Sequence, residues 1–284
     1  MKLSKIFALL LALCLISSAA CAATFTDAHG NVIELDDSLE AYAAVTLVGA
    51  DNAARQGETN LGDLWADALR WFAVSGEINA AFDEDDVKAG NDRIAVDADH
   101  VVALWNGGNL RADIAEGTFG AEALAEVLPF PNKVAVVYMT GAQLLETLEA
   151  ASQGLPYTAE TADACASLMQ VSGLTYTVDT AKAYDALEAY GDHWFTAGSV
   201  SRVRIDDVNG QPFDAEATYA VVTSNANFNG MDSSYVLKAA AEANEQSAVT
   251  TAVVRDVVFR FIASELNHQV GEAYAAPQGR LTIL

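Results

Sequence analysis

Hydrophobic and polar positions along this chain follow two periods. In residues 60–72, Leu61, Leu64, Trp65, Ala68, Leu69 and Phe72 recur at helical spacing and leave one apolar face. Thr59 or Asn60 can cap that helix. Thr140 and Gln143 form a capping box that starts a second helix, running to about Ser152. A short helix fits 121–127, and an amphipathic pattern over 249–266 predicts a final one. The unbroken apolar runs 101–105 and 134–139 predict strands buried on both faces. Residues 170–178, 203–208 and 219–223 also read as strands, the last two around a hairpin at Asn209-Gly210. Residues 45–49 suggest a short strand, 280–284 an edge strand, and 24–35 a β-hairpin around His29-Gly30-Asn31. The sum is an α+β fold, a mixed sheet with helices packed on it.

The stretch 101–132 concentrates the candidate chemistry. Its strand runs into Asn106-Gly107-Gly108, where two glycines permit positive φ and close approach of a ligand to the backbone. Arg111 follows with a planar, always-charged fork suited to phosphate or sugar oxygens. Pro129 and Pro131 stiffen a loop that carries Phe130 and Asn132. Arg55 precedes the helix at 60–72, and an arginine beside a helix N-terminus suits an anion.

These blocks resemble the C-terminal, substrate-binding domain of the 5′-nucleotidase family. Its Asn-Gly-Gly-Gly-Ile-Arg run is similar to Asn106-Gly107-Gly108-Asn109-Leu110-Arg111, and its Leu-Pro-Phe-x-Asn to residues 128–132. Residues 55–62, 140–144 and 170–174 agree in order. The resemblance covers about residue 45 onward and supports the same α+β expectation. It implies a nucleoside or nucleotide ligand, the base stacked on aromatic rings, an aspartate on the ribose hydroxyls and arginines on the ribose–phosphate side. Carried over by position, the ligand-binding residues are Arg55, Asn106, Arg111, Phe130, Asn132 and Asp232. The second ring is less direct. An ungapped alignment puts Ala226 at its place, with Phe228 two residues on as the candidate or as core packing. Asn109 and Met231 also stand where the family has glycine.

Charge and composition narrow the partners. Lys and Arg number 15 against 39 Asp and Glu, a formal net charge of −24. Such a chain does not bind nucleic acid by general electrostatics. Residues 1–22 read as a signal peptide: Lys2 and Lys5, an apolar run at 6–16 too short to span a bilayer, and small residues before Ala23. Residues 23–44 then form a β-hairpin extension and 45–284 the family domain. An extracytoplasmic location follows, by plain cleavage or with Cys21 as a lipid anchor. Cleavage leaves Cys165 alone, without an intrachain disulfide. No later stretch is apolar enough for a transmembrane helix.

Two metal-like patterns are set aside. Asp27-Ala28-His29-Gly30 resembles the opening of the family's metal site, but His100, His193 and His268 stand in none of its other contexts. Two metals about 3.5–4 Å apart need several such ligands. Residues 83–99 are acidic, yet Lys88 occupies the glycine position of a calcium loop. The expectation is therefore no catalytic residue and no metal or other cofactor in this chain. Divalent metals would belong to a separate metallophosphoesterase partner. A binding module is the reading pursued; a nucleotide hydrolase and a non-catalytic surface interaction protein are the alternatives. The role of residues 181–201 stays open.

Overall fold

The computed structural model describes the backbone of residues 23–26 and 32–35 and the chain from 40 to 284. It divides into two compact units, Met1–Glu40 and Ala41–Leu284. In the first, β1 (Ala23–Thr26) and β2 (Val32–Leu35) pair antiparallel, Ala23 opposite Leu35. This is the hairpin its alternation predicts. The Asp27-Ala28-His29-Gly30 pattern lies outside the described residues.

The chain continues from β3 (Glu40–Ala43) into a short helix α1 (Ala53–Gln56) and the long helix α2 (Asn60–Val74). Thr59 caps α2, its hydroxyl accepting from Gly62 N at 3.0 Å. The six stripe residues from Leu61 to Phe72 are fully buried. In the acidic stretch, Asp83 caps a third helix, α3 (Glu84–Ala89), by accepting from the amides of Asp85 and Asp86. There follow β4 (Val101–Asn106), β5 (Gly117–Gly120), α4 (Ala121–Val127), β6 (Lys133–Thr140), α5 (Gly141–Ala151), β7 (Met169–Ser172) and β8 (Leu174–Val178). The chain then forms β9 (Ala186–Ala189), β10 (Phe195–Ala197), β11 (Val203–Val208), β12 (Thr218–Ser224), α6 (Asn225–Phe228) and α7 (Tyr235–Ala243). It closes through β13 (Ala248–Val253), α8 (Val254–Ser264), β14 (Gln269–Val270) and β15 (Leu281–Ile283). The capping box of Thr140 and Gln143 starts α5 as expected.

A five-stranded sheet in the order β13-β6-β12-β4-β7 forms the centre. β12 and β4 run parallel and the other three pairings are antiparallel. Side chains of a strand alternate between faces. Val101, Ala103 and Trp105 of β4 join one apolar cluster with α2 and α8. Val102 and Leu104 join a second with α5 and α7. Both faces are covered, so the strand needs apolar residues at every position, and the expected mixed-sheet α+β fold results. Trp105 meets Trp65 of α2 with ring centroids 6.1 Å apart.

Four local expectations change. Residues 249–266 are not one helix: their β-branched opening, Val249, Thr250, Thr251 and Val253, pairs as β13 on β6, and α8 starts only at Val254. Residues 170–178 break at Gly173, φ 81°, so that β7 stays in the central sheet and β8 enters a three-stranded sheet, β11-β8-β15. Asn209 and Gly210 make the left-handed turn their identity predicts, but β11 then pairs with β8 and β12 with β6 and β4. In place of a strand at 45–49 there is one bridge, Leu47 to Ile114. Residues 280–284 do supply an edge strand, β15.

A carboxylate pair pins that edge. Gln278 N donates to Glu58 Oε1 at 2.8 Å and to Asp63 Oδ2 at 3.1 Å, and Leu281 N donates to Glu58 Oε2 at 3.0 Å. Arg280 binds Asp67 at 2.8 Å and holds Nε 3.8 Å from the fully buried Asp63. Burial pushes the Asp63 carboxyl up to about 8, with Arg280 opposing and Glu58 adding to the rise. In the unfolded chain Asp63 ionises near its ordinary value, about 4. Between these values the folded state holds more protons, so this group's contribution to stability falls as pH rises. The urea midpoint should drop between about pH 4 and about pH 8, and Asp63→Asn should flatten the drop; an equal slope in the variant would place the titration on another group.

Candidate functional site

The site is built where β4 ends. Asn106 leads into a single 3-10 turn, Gly107–Asn109. Neither glycine takes positive φ, contrary to expectation. Their small size serves packing: a Cβ on Gly107 would stand 2.0 Å from Ala54 O, and one on Gly108 2.7 Å from Ala166 Cβ. Helix α1 and the 3-10 turn Ala164–Ser167 press on the bend from two sides.

Buried amides organise the polar end. Asn106 Nδ2 donates to Asp232 Oδ2 at 2.8 Å, and Asn106 Oδ1 accepts from Asn109 Nδ2 at 2.9 Å. Asn109, which the family comparison marks as a departure from glycine, thus sets which end of the Asn106 amide faces Asp232. Asp232 has φ 55°, a left-handed conformation that Asp tolerates better than most residues. Burial pushes its carboxyl above the usual range, against the Asn106 hydrogen bond and the charges of Arg55 and Arg111.

Asp232 borders a cavity of about 360 Å³, whose walls also carry Arg111, Phe130, Asn132, Asn225 and Met231. Phe130 is 46% exposed, and Arg111 Cζ lies 5.6 Å from the centre of its ring, a cation–π contact. Arg111 Nε donates to Gly108 O at 2.6 Å. Its two terminal nitrogens have no acceptor among the described residues, so they are available to a ligand. The loop bearing Phe130 is anchored by Asn132 O, which accepts from Val254 N at 2.9 Å, and by Lys133 N, which donates to Asn225 Oδ1 at 2.9 Å.

The residues singled out in the sequence separate into three groups. Arg111, Phe130, Asn132 and Asp232 line the cavity, and Asn106 reaches it through Asp232. Arg55 stands behind the wall: Nη1 donates to Ala162 O at 2.9 Å and lies 3.7 Å from Asp163. Its charge still acts on Asp232. Phe228 is not on the lining; its ring packs, partly buried, against the apolar cluster of α5 and α7. Among the described residues no second aromatic ring lines the cavity, and the half-exposed Met231 contributes to the wall. Sequence reading registered Met231 only as a lost glycine and gave no signal for Asn225.

The family model for the 5′-nucleotidase C-terminal domain matches residues 40–239. The chain belongs to this family. The trifunctional nucleotide phosphoesterase protein YfkN of Bacillus subtilis (strain 168) is 28% identical over 188 residues, 65% of this chain and 10% of that protein. A 5′-nucleotidase precursor from Thermus thermophilus is 26% identical at a TM-score of 0.62, covering 92% of this chain and 48% of the other. NAD nucleotidase from Haemophilus influenzae shares the fold at 14% identity and a TM-score of 0.57, with the same coverage of 92% and 48%. The 5′-nucleotidase C-terminal domain here thus spans about half the length of those two solved proteins. Among its described residues, no helix is long and apolar enough to cross a membrane.

Proposed function

We propose that this 5′-nucleotidase C-terminal domain binds a nucleoside or nucleotide outside the cytoplasm, as the substrate-holding part of nucleotide catabolism. The observation that carries the reading is convergence: an exposed ring at Phe130, a guanidinium with free donors at Arg111 and the carboxylate of Asp232 face one cavity. Its volume, about 360 Å³, falls within the range of small-molecule sites. The base stacks on Phe130, Asp232 accepts from the ribose hydroxyls, and Arg111 reads the phosphate side. Arg55 acts at longer range, since Ala162 and Asp163 already engage it.

Hydrolysis is assigned elsewhere. The cavity offers one carboxylate beside a guanidinium, and that donor set does not fit two divalent cations. Among the described residues no group of three or more His, Cys, Asp or Glu is placed to hold a metal ion. A metallophosphoesterase domain or subunit would supply the reaction. Calorimetric titration with adenosine and AMP tests the binding, and absence of heat at millimolar ligand favours the surface-protein reading. The purified chain should release no phosphate from AMP with added Mn²⁺, Co²⁺ or Zn²⁺; turnover that His29→Ala abolishes would make it an enzyme in its own right.

A further inference from the structure

Residues 181–201 form an arm whose tip touches both sides of the cavity. β9 and β10 pair antiparallel, Phe195 opposite Ala189, and the loop between them carries Tyr190, His193 and Trp194. Strand β10 is fixed to the scaffold. Phe195 N donates to Gln153 Oε1 at 2.8 Å, just past α5, and Ala197 N donates to Tyr235 Oη at 2.9 Å. Tyr235 in turn donates to Glu146 Oε1 of α5 at 2.9 Å.

At the tip, Tyr190 Oη donates to Gly230 O at 2.9 Å. Gly230 opens the turn that bears Met231 and Asp232, and a Cβ there would meet Tyr190 Oη at 2.2 Å. On the other side, Trp194 Nε1 donates to Ala164 O at 3.3 Å, in the 3-10 turn that places Ala166 on the cavity wall. His193 Nε2 lies 3.8 Å from Asp163, the carboxylate beside Arg55. The arm's tip thus joins the same two walls that the 106–109 turn joins through Asn106 to Asp232 and Gly108 against Ala166.

We propose that the β9–β10 arm is a strap that holds the two walls of the cavity in register, with Tyr190 the positioning residue that sets Asp232. The proposal rests on the nucleoside-binding reading above. Tyr190 does not line the cavity; it acts through the Gly230 carbonyl on a turn whose Asp232 is held at positive φ. Without the hydroxyl the turn relaxes, and the carboxylate leaves the orientation that Asn106 and the ribose hydroxyls require.

Tyr190→Phe keeps the ring, which packs 5.6 Å from that of Tyr235, and removes only the hydroxyl. Adenosine affinity should fall roughly two- to tenfold, the range for one neutral hydrogen bond, and the thermal midpoint should drop by no more than about 2–4 °C. Affinity for 2′,3′-dideoxyadenosine, which lacks the 2′ and 3′ hydroxyls that Asp232 would accept from, should stay at the parent's value. Hydrogen exchange should quicken at the amides of Met231 and Ser234, which bond to Ala226 O at 3.0 Å and Met231 O at 3.1 Å. Equal adenosine affinity in parent and variant overturns the proposal, as does an equal loss for the dideoxy ligand. If the parent binds no adenosine, the binding reading fails, and exchange alone decides: faster exchange supports the strap and unchanged exchange refutes it. Should Tyr190→Phe fail to fold, Trp194→Phe removes the other tie and carries the same comparisons.

Discussion

Gly107→Ala should destabilise the domain by about 3 kcal/mol or more and remove ligand binding with it. Overfilling a packed site usually costs about 1–3 kcal/mol, and the upper end applies when backbone must move. Here the added carbon meets the backbone of α1, 2.0 Å from Ala54 O and 2.6 Å from Ala54 C. No rotamer relieves that contact. Either α1 retreats, carrying Arg55 and breaking the Gln170 Nε2 to Ala54 O hydrogen bond at 3.1 Å, or the Gly107–Asn109 turn shifts. The second route moves Asn109, which orients Asn106 toward Asp232. Gly271→Ala is the control, because its Cβ would meet nothing within 4 Å. That change should be neutral or stabilise by about 0.4–1 kcal/mol through the unfolded state. Urea melts of both variants report the contrast, and a parent-like midpoint for Gly107→Ala would show that α1 yields easily.

What was legible in the sequence follows from what local pattern encodes. The stripe of α2 and the cap at Thr140 are statements about neighbours three or four residues apart, and both elements form where expected. The break at Gly173 and the strand at the start of 249–266 were not legible. Each is decided by a partner far along the chain: β13 is a strand because the edge of β6 accepts it. The same limit governs the site. Family motifs named Arg111, Phe130, Asn132 and Asp232, and the fold brings these four to one cavity. No local feature showed that Phe228 turns into the apolar cluster or that Met231 shares the wall. Nor did any local feature show that Asp163 and Ala162 occupy Arg55. The glycine pair at 107 and 108 was visible but its reason was not, since packing against Ala54 and Ala166 is a property of the assembled fold.

Phe130→Ala should weaken adenosine and AMP alike by about 1–3 kcal/mol, the usual contribution of a base on an aromatic ring. Arg111→Ala should weaken AMP more than adenosine, because only AMP brings a charge for the guanidinium to read. The two changes should not add. Arg111 already lies over the Phe130 ring at 5.6 Å, so a base must take the opposite face or displace the guanidinium toward the phosphate. In either case each residue alters what the other offers, and a double-mutant cycle should show coupling. Phe228→Ala should lower stability and leave adenosine affinity unchanged, as its ring packs away from the cavity. Met231→Ala tests the remaining wall: a loss comparable to Phe130→Ala would mean that the thioether covers the second face of the base, a contact sulfur makes readily with aromatic systems. Titrations at one ionic strength keep the arginine and ring effects comparable. If adenosine binds the parent but binds Phe130→Ala equally well, the base does not stack there, and the ring at the mouth of the cavity belongs to a protein–protein contact instead.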